Sequence, residues 1–410
     1  ARRHRLPRAA GGLSRMSRPR WSERLAVAQA SRARSDALRR RRVVERVEGV
    51  HVVVDGQPLI NFCSNDYLGL AGSLDAVSAL QEAAAWHGVG SGASALVSGH
   101  HVLHARFERE AAEWMGYERA LYFPSGYTAN LAVLQALLDG GDLCVQDKLN
   151  HACLLDGARL AGAELKRYPH RDFGGALRQL QSMPEAAAVL ATDSVFSMDG
   201  DVAPLRELAL AATGEHALFV VDEAHGVGVM GPEGRGACAA AGLSARDVPV
   251  LVAPLGKAFG GQGALVFGGT PLIEHLLQSA RPYVFSTAGA PALAAAMSAN
   301  LETLRSQGWR RAKLASLVAR FRRGALRHGL PVLESNTPIQ PLVLGGNSRA
   351  LAVARVLEQQ GFWVAPIRPP TVPDGKARLR ITLTAAHTEI EVDALVDVLA
   401  SCLEDIDTGA

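Results

Sequence analysis

Leu218-Phe219-Val220-Val221-Asp222-Glu223-Ala224-His225-Gly226 is the stretch that decides the fold of this chain. Four consecutive apolar residues running into an aspartate describe a strand covered on both faces, because a half-exposed strand would alternate apolar with polar. Strand-like stretches, most of them near-continuously apolar, stand at Ala120–Phe123, Leu143–Val145, Leu165–Tyr168, Ala187–Thr192, Val248–Ala253 and Ala264–Phe267, with helix-like stretches between them. Over residues 65–300 this alternation predicts an α/β domain with a large, mainly parallel, doubly covered sheet. Asp222 then sits at the carboxyl end of a buried strand, where open α/β sheets bind ligands.

Outward from this domain the pattern changes. Residues 301–410 read as helix, strand (Ile339–Leu344), helix (Arg349–Gln360), strand (Phe362–Ala365), strand (Ala377–Thr384) and a last helix, which predicts a smaller C-terminal α+β domain. The last helix opens with Thr388-x-x-Glu391, a capping box. Residues 21–64 read as an arm: a basic helix from Trp21 to Arg42, then a strand pair between Val50 and Phe62 around the Asp55-Gly56 turn. Residues 1–20 are Arg-rich and free of acids. They are expected to form a disordered extension rather than a targeting segment, with Met16 a candidate natural start.

A length of 410 residues exceeds what one core usually serves, so two domains are expected. With 48% apolar and 20% charged residues the chain has the composition of a globular protein. A net charge of +3 argues against a nucleic-acid partner. No apolar run approaches the roughly 18 residues that cross a membrane, so no membrane partner is expected. The five cysteines, Cys63, Cys144, Cys153, Cys238 and Cys402, show no CxxC spacing. That speaks against a disulfide framework and a zinc site, and fits a reducing cytoplasm.

Thirty-five residues after Asp222, Lys257 lies in Ala253-Pro254-Leu255-Gly256-Lys257-Ala258-Phe259-Gly260-Gly261. A lysine on a glycine-flanked turn beside a strand-end aspartate suits pyridoxal phosphate: an amine to form a Schiff base and a carboxylate to hold the pyridinium proton. The turn at Phe123-Pro124-Ser125-Gly126-Tyr127-Thr128-Ala129-Asn130 joins a strand to a helix, and its free amides at Gly126 and Tyr127 suit a phosphate. His225 follows Asp222 by three residues and is placed to reach the cofactor's phenolic oxygen. Ser197 could bond the same oxygen, and His151, in a loop after a strand, could stack on the ring. Each of these alone is a common structural residue; together they specify one site.

The chain resembles the α-oxoamine synthases of pyridoxal phosphate fold type I. The likeness runs from Trp21 to Leu403 and rests on Ser64-Asn65-Asp66-Tyr67-Leu68-Gly69-Leu70, Gly88-Val89-Gly90-Ser91-Gly92 with Val97-Ser98-Gly99, Val195 to Asp201, Asp222 to Gly226, Gly256 to Gly260 and Arg380 to His387. The resemblance implies that Lys257 carries the cofactor, Asp222 holds the pyridine nitrogen and His151 stacks on the ring. It further implies that Ser197 and His225 meet the phenolic oxygen and that Gly126 and Tyr127 cradle the phosphate. Arg380 and Asn65 are implied to bind the carboxylate of the amino acid, and Arg39 and Thr371 the acyl substrate. Ser286 and Thr287 are implied to reach the phosphate in a neighbouring subunit, hence a homodimer.

Within the family, Ile367-Arg368-Pro369-Pro370-Thr371-Val372-Pro373 with Arg380 to His387 looks most like the biotin-pathway branch. That branch implies L-alanine and a pimeloyl thioester, on coenzyme A or acyl carrier protein, as substrates. Sister branches use glycine or serine, and an aminotransferase would share the lysine and aspartate but has no need of the Ser197 motif. Two departures stand out. Pro254 replaces a threonine whose hydroxyl would hold the phosphate, and Asp193 stands where relatives often have glutamate.

Overall fold

The computed structural model describes Arg18 and residues 20–408, so the expected N-terminal extension lies almost wholly outside the described residues. Contacts divide the chain at Arg41/Arg42 into two compact units. In the first, the basic helix runs Trp21–Arg34 with no buried residue. It stops short of the expected Arg42 because Asp36 adopts a left-handed conformation (φ 51°), which a helix cannot continue and which aspartate tolerates better than most residues.

In the second unit a seven-stranded sheet runs in the order Arg119–Phe123, Ala264–Gly268, Val250–Pro254, Leu218–Asp222, Ala188–Asp193, Leu143–Asp147, Glu164–Tyr168. All seven expected strands are present. Ala264–Gly268 alone runs against the direction of the other six. The reason is local: residues 255–263, which link it to Val250–Pro254, are too few for the crossover of a dozen or more that parallel pairing needs. Helices cover both faces. Phe219 and Val221 point into one apolar cluster while Val220 points into the other, as a doubly covered strand requires.

A three-stranded antiparallel sheet follows in the order Ile339–Gly345, Ala377–Thr382, Ala365–Ile367. The capping box is formed: Thr388 N–H donates to Glu391 Oε2 at 2.7 Å and Glu391 N–H to Thr388 Oγ1 at 3.3 Å. The hairpin His51–Val54/Gln57–Asn61 turns through Asp55 (φ 48°) and Gly56 (φ 78°), the two left-handed residues of a tight hairpin turn.

Two features differ from expectation. Val44–Glu48 forms a further strand, exposed at every residue, so no burial pattern announced it; it forms by pairing with His51–Val54. The expected strand Phe362–Ala365 is two strands. Phe362–Trp363 pairs in parallel with Gln57–Asn61, and Ala365–Ile367 pairs with Ala377–Thr382, so one apolar run serves two sheets. Among the described residues no helix is long and apolar enough to cross a membrane.

Candidate active site

Three strand ends and a helix start converge on one cavity of about 260 Å³. Leu218–Asp222 delivers Asp222, which is buried; its Oδ2 accepts from Asn130 Nδ2 at 2.6 Å and its Oδ1 from the Ala224 N–H at 2.8 Å. Both donors are neutral, so among the described residues a buried carboxylate faces the cavity without a bonded cation. Ala188–Asp193 delivers Asp193, whose Oδ2 accepts the His151 N–H at 2.6 Å. Burial, then the charge of Asp222, holds the Asp193 carboxyl well above the usual carboxylate range.

Lys257 sits in the short connection between Val250–Pro254 and Ala264–Gly268. Gly260 folds that connection back, its N–H donating to Lys257 O at 2.8 Å. Gly260 has φ +67°, and a Cβ there would come within 2.3 Å of the Ala71 nitrogen, so only glycine lets the lysine turn sit against the Leu70–Ala71 backbone. Burial lowers the Lys257 pKa, opposed by the charges of Asp222 and Asp193, which brings its neutral, nucleophilic form closer to neutral pH.

The helix Gly126–Leu137 points its N-terminus at the cavity, capped by Ser125 Oγ accepting from Thr128 N–H at 3.2 Å. First-turn amides have no partner within a helix, so those of Gly126 and Tyr127 suit an anion. A Cβ on Gly126 would lie 2.6 Å from Pro254 Cγ, so glycine is required for this close approach of helix and strand. Arg380, buried, is tied to two lining residues: it donates through Nε to Ser197 O at 2.6 Å and through Nη1 and Nη2 to Asn65 Oδ1, each at 3.1 Å. Burial depresses the pKa of His151, and depresses that of His225 further, so both imidazoles stay neutral at neutral pH.

A lysine, a buried carboxylate, a cationic clamp and an anion-binding helix start are the parts a family match would have to explain. A family profile for class I and II aminotransferases matches residues 57–399. The chain is 57% identical to 8-amino-7-oxononanoate synthase of Stenotrophomonas maltophilia (strain R551-3), over 95% of this chain and 96% of that protein. It is 54% identical to the protein of that name from Xanthomonas axonopodis pv. citri (strain 306), over 94% of this chain and 96% of the other. The chain belongs to the 8-amino-7-oxononanoate synthase family. Among solved structures, it superimposes on a lysine-to-alanine variant of S. paucimobilis serine palmitoyltransferase with a bound PLP–myriocin aldimine at a TM-score of 0.91, with 26% identity over 95% of this chain and 100% of that one. The Francisella tularensis 8-amino-7-oxononanoate synthase matches with a TM-score of 0.74 and 30% identity, over 84% and 98% of the two chains.

Like others of the 8-amino-7-oxononanoate synthase family, the protein is a pyridoxal phosphate-dependent acyltransferase, and the cavity fits that cofactor part by part. Lys257 supplies an amine, Asp222 a buried carboxylate bonded, among the described residues, only by neutral donors and Gly126–Leu137 a helix N-terminus.

Asn65, Gly126, Tyr127, His151, Ser197, Asp222, His225 and Lys257 all line this cavity, and Arg380 bonds two of them. Tyr127 meets His151 edge-on, with ring centroids 6.3 Å apart. Ser286 and Thr287 are not brought to it; they line a separate pocket beside His104 and Tyr283, and Thr287 bridges to Ser94. Thr371 is exposed, in the loop before Ala377–Thr382, and Arg39 belongs to the first unit. Sequence reading assigned no role to Asn130 or Tyr67. Asn130 lies one helical turn after Gly126 and so shares its face, a signal present in the spacing. Tyr67 bonds His225, 158 positions away, a pairing that no local pattern announces.

The Ser197 loop is held from both sides. Arg378 Nη1 donates to Met198 O at 3.0 Å, and His170 bridges Asp147 Oδ1 at 3.1 Å and Asp201 Oδ2 at 2.8 Å with its ring edge-on to Phe196. Burial opposes charge on His170, but its bonds to Asp147 and Asp201 and their charges outweigh it, raising the pKa from 6.5 to about 9. A pKa raised on folding stabilises fully below about pH 6.5 and is lost as pH climbs to about 9, a loss of at most about 3 kcal/mol. Urea midpoints should therefore fall across that window in the wild type, and His170→Gln should flatten that fall. An equal slope in the variant would assign it to other groups.

Pro254 offers neither hydroxyl nor N–H, so it cannot itself supply the phosphate contact that a threonine there is expected to make. Pro254→Thr should tighten cofactor binding. A hydroxyl bond to a charged group contributes about 1.5 to 3 kcal/mol before the lost solvent bonds are subtracted, so a gain of about tenfold in cofactor Kd is expected. Titration of the apoenzyme with pyridoxal phosphate measures it; an unchanged Kd would mean that another group already serves that position.

Proposed function

We propose that this protein condenses L-alanine with a pimeloyl thioester, carried on coenzyme A or acyl carrier protein, releasing CO₂ and free thiol and giving 8-amino-7-oxononanoate for biotin synthesis. The observation that most supports the reading is the 57% identity over 95% of the chain to a protein named for that product. Bound pyridoxal phosphate supplies an electron sink for the bonding pair left at the alanine Cα.

The chain's own residues supply the rest. Lys257 would hold the cofactor through its amine, and the free amine is the base that takes the alanine Cα proton; its lowered pKa favours that role. Asp222 would keep the ring nitrogen protonated, and the Gly126 and Tyr127 amides would hold the phosphate. His151 would stack on the ring, while Ser197 and His225 would meet its phenolic oxygen. Arg380, fixed by Asn65 and Ser197 O, pairs with the alanine carboxylate. Thr371 would contact the acyl chain. Ser286 and Thr287, which lie outside the Lys257 cavity of their own chain, would complete the phosphate site of a second copy, so the working unit is a homodimer. The large domain at 65–300 carries the cofactor, the small one at 301–410 brings Arg380, and the enzyme works in the cytoplasm.

Measuring CO₂ release for pimeloyl, succinyl, acetyl and palmitoyl thioesters with alanine, glycine and serine tests the assignment. Alanine should exceed glycine in kcat/KM by about 10- to 200-fold, the value of one methyl group in a fitted apolar pocket. A best pair other than alanine with pimeloyl would place the protein with a sister activity.

A further inference from the structure

Tyr67 is completely buried, and its hydroxyl lies 2.6 Å from His225 Nδ1 and 3.2 Å from Asn65 Oδ1, while the Arg380 side chain also bonds it as a donor and so does not compete for its proton. A phenol has one proton to give. Asn65 Oδ1 already accepts from Arg380 Nη1 and Nη2, which engage both of its lone pairs. The shorter contact runs to His225. We propose that Tyr67 donates its proton to His225 Nδ1 and thereby fixes the tautomer of His225 that carries hydrogen on Nε2.

The consequence lies in the cavity that His225 lines. A neutral imidazole has one N–H, and which nitrogen carries it is set by the bond at the other. With Nδ1 accepting from Tyr67, Nε2 is a donor, available to an oxygen anion in the cavity. In the reverse arrangement Tyr67 would donate to Asn65, His225 Nδ1–H would donate to Tyr67, and Nε2 would turn a lone pair toward that anion. Asn65 Oδ1 would then have to take three donors. Burial first, then the charges of Lys257, Arg380 and His151, hold His225 in the neutral form although Asp222 and Asp193 line the same cavity, so the tautomer is the property left to be set. Tyr67 acts through His225 and is a positioning residue. That the anion is the phenolic oxygen of the cofactor rests on the function proposed above; the tautomer does not.

The test uses the apoprotein labelled with ¹⁵N-histidine, the His225 signals being identified by their loss in His225→Gln. Long-range ¹H–¹⁵N correlation should show Nε2 protonated and Nδ1 bare in the wild type. Tyr67→Phe keeps the ring and removes the proton donor, so the single tautomer should give way to a mixture. Asn65→Ala should leave it unchanged. Protonated Nδ1 in the wild type, an unaltered tautomer in Tyr67→Phe, or a change of tautomer in Asn65→Ala would each overturn the proposal. Read without cofactor or substrate, these signals stand even where the assigned reaction fails. In the loaded enzyme Tyr67→Phe should lower kcat by about 10- to 100-fold with the KM for alanine nearly unchanged, because the Asn65–Arg380 pair remains. A parallel rise in KM would point instead to a packing role.

Discussion

Lys257→Ala is expected to abolish turnover, by a factor on the order of 10⁴ or more, together with covalent attachment of the cofactor. Lys257 is the lysine that lines the cavity with Asp222, His151 and His225, and other cavity groups lack an amine to replace it. The fold should survive. Burial already disfavours the charged form of the lysine amine, so truncation removes a desolvated group rather than a structural tie. Borohydride reduction followed by mass measurement reads the covalent link, and thermal unfolding of the apoprotein reads the fold. A reducible adduct that persists in the variant would remove Lys257 from its assigned role, and a collapsed melting transition would make the activity loss uninformative.

Asp222→Asn should slow Cα-proton exchange of alanine by about 10³-fold with little loss of stability. The carboxylate's charge holds a proton on the ring nitrogen, and an amide of the same shape cannot. The structure also explains why the exchange of carboxylate for amide is tolerated. The new side chain would bring one donor and one acceptor to partners that both now donate, Asn130 Nδ2 and the Ala224 N–H. Among the described residues Asn130 Oδ1 has no partner, so its amide can rotate by half a turn and accept from the new N–H. Because the rotation also gives up the Asn130 Nδ2 bond to Cys153 Sγ, the added cost should be about 1 to 2 kcal/mol, the scale of one or two exchanged hydrogen bonds. An exchange rate within a fewfold of wild type would leave Asp222 without its electrostatic role; a large drop in unfolding midpoint would show that Asn130 does not rotate.

These two residues were also the most legible. Strands buried on both faces must be continuously apolar, so Leu218–Val221 announced itself and placed Asp222 at a strand end, and the glycines around Lys257 marked a turn that a bulkier backbone could not make. The antiparallel Ala264–Gly268 followed from a connection too short to cross over. Val44–Glu48 was illegible for the opposite reason: it buries nothing, so pairing alone creates it. The run at Phe362 gave no sign that it would divide between two sheets.

The sequence by itself therefore determined the covered sheet, the strand ends that meet at the cavity, and the residue types of its chemistry, because burial and turn geometry act on neighbours along the chain. Only the tertiary structure decided which distant groups share protons and charges: Asn130 with Asp222, Arg380 with Asn65, and Tyr67 with His225. Hydrogen bonds act over about 3 Å of space without regard to separation in sequence, so side chains far apart in the chain become partners only when the packed core sets their backbones side by side.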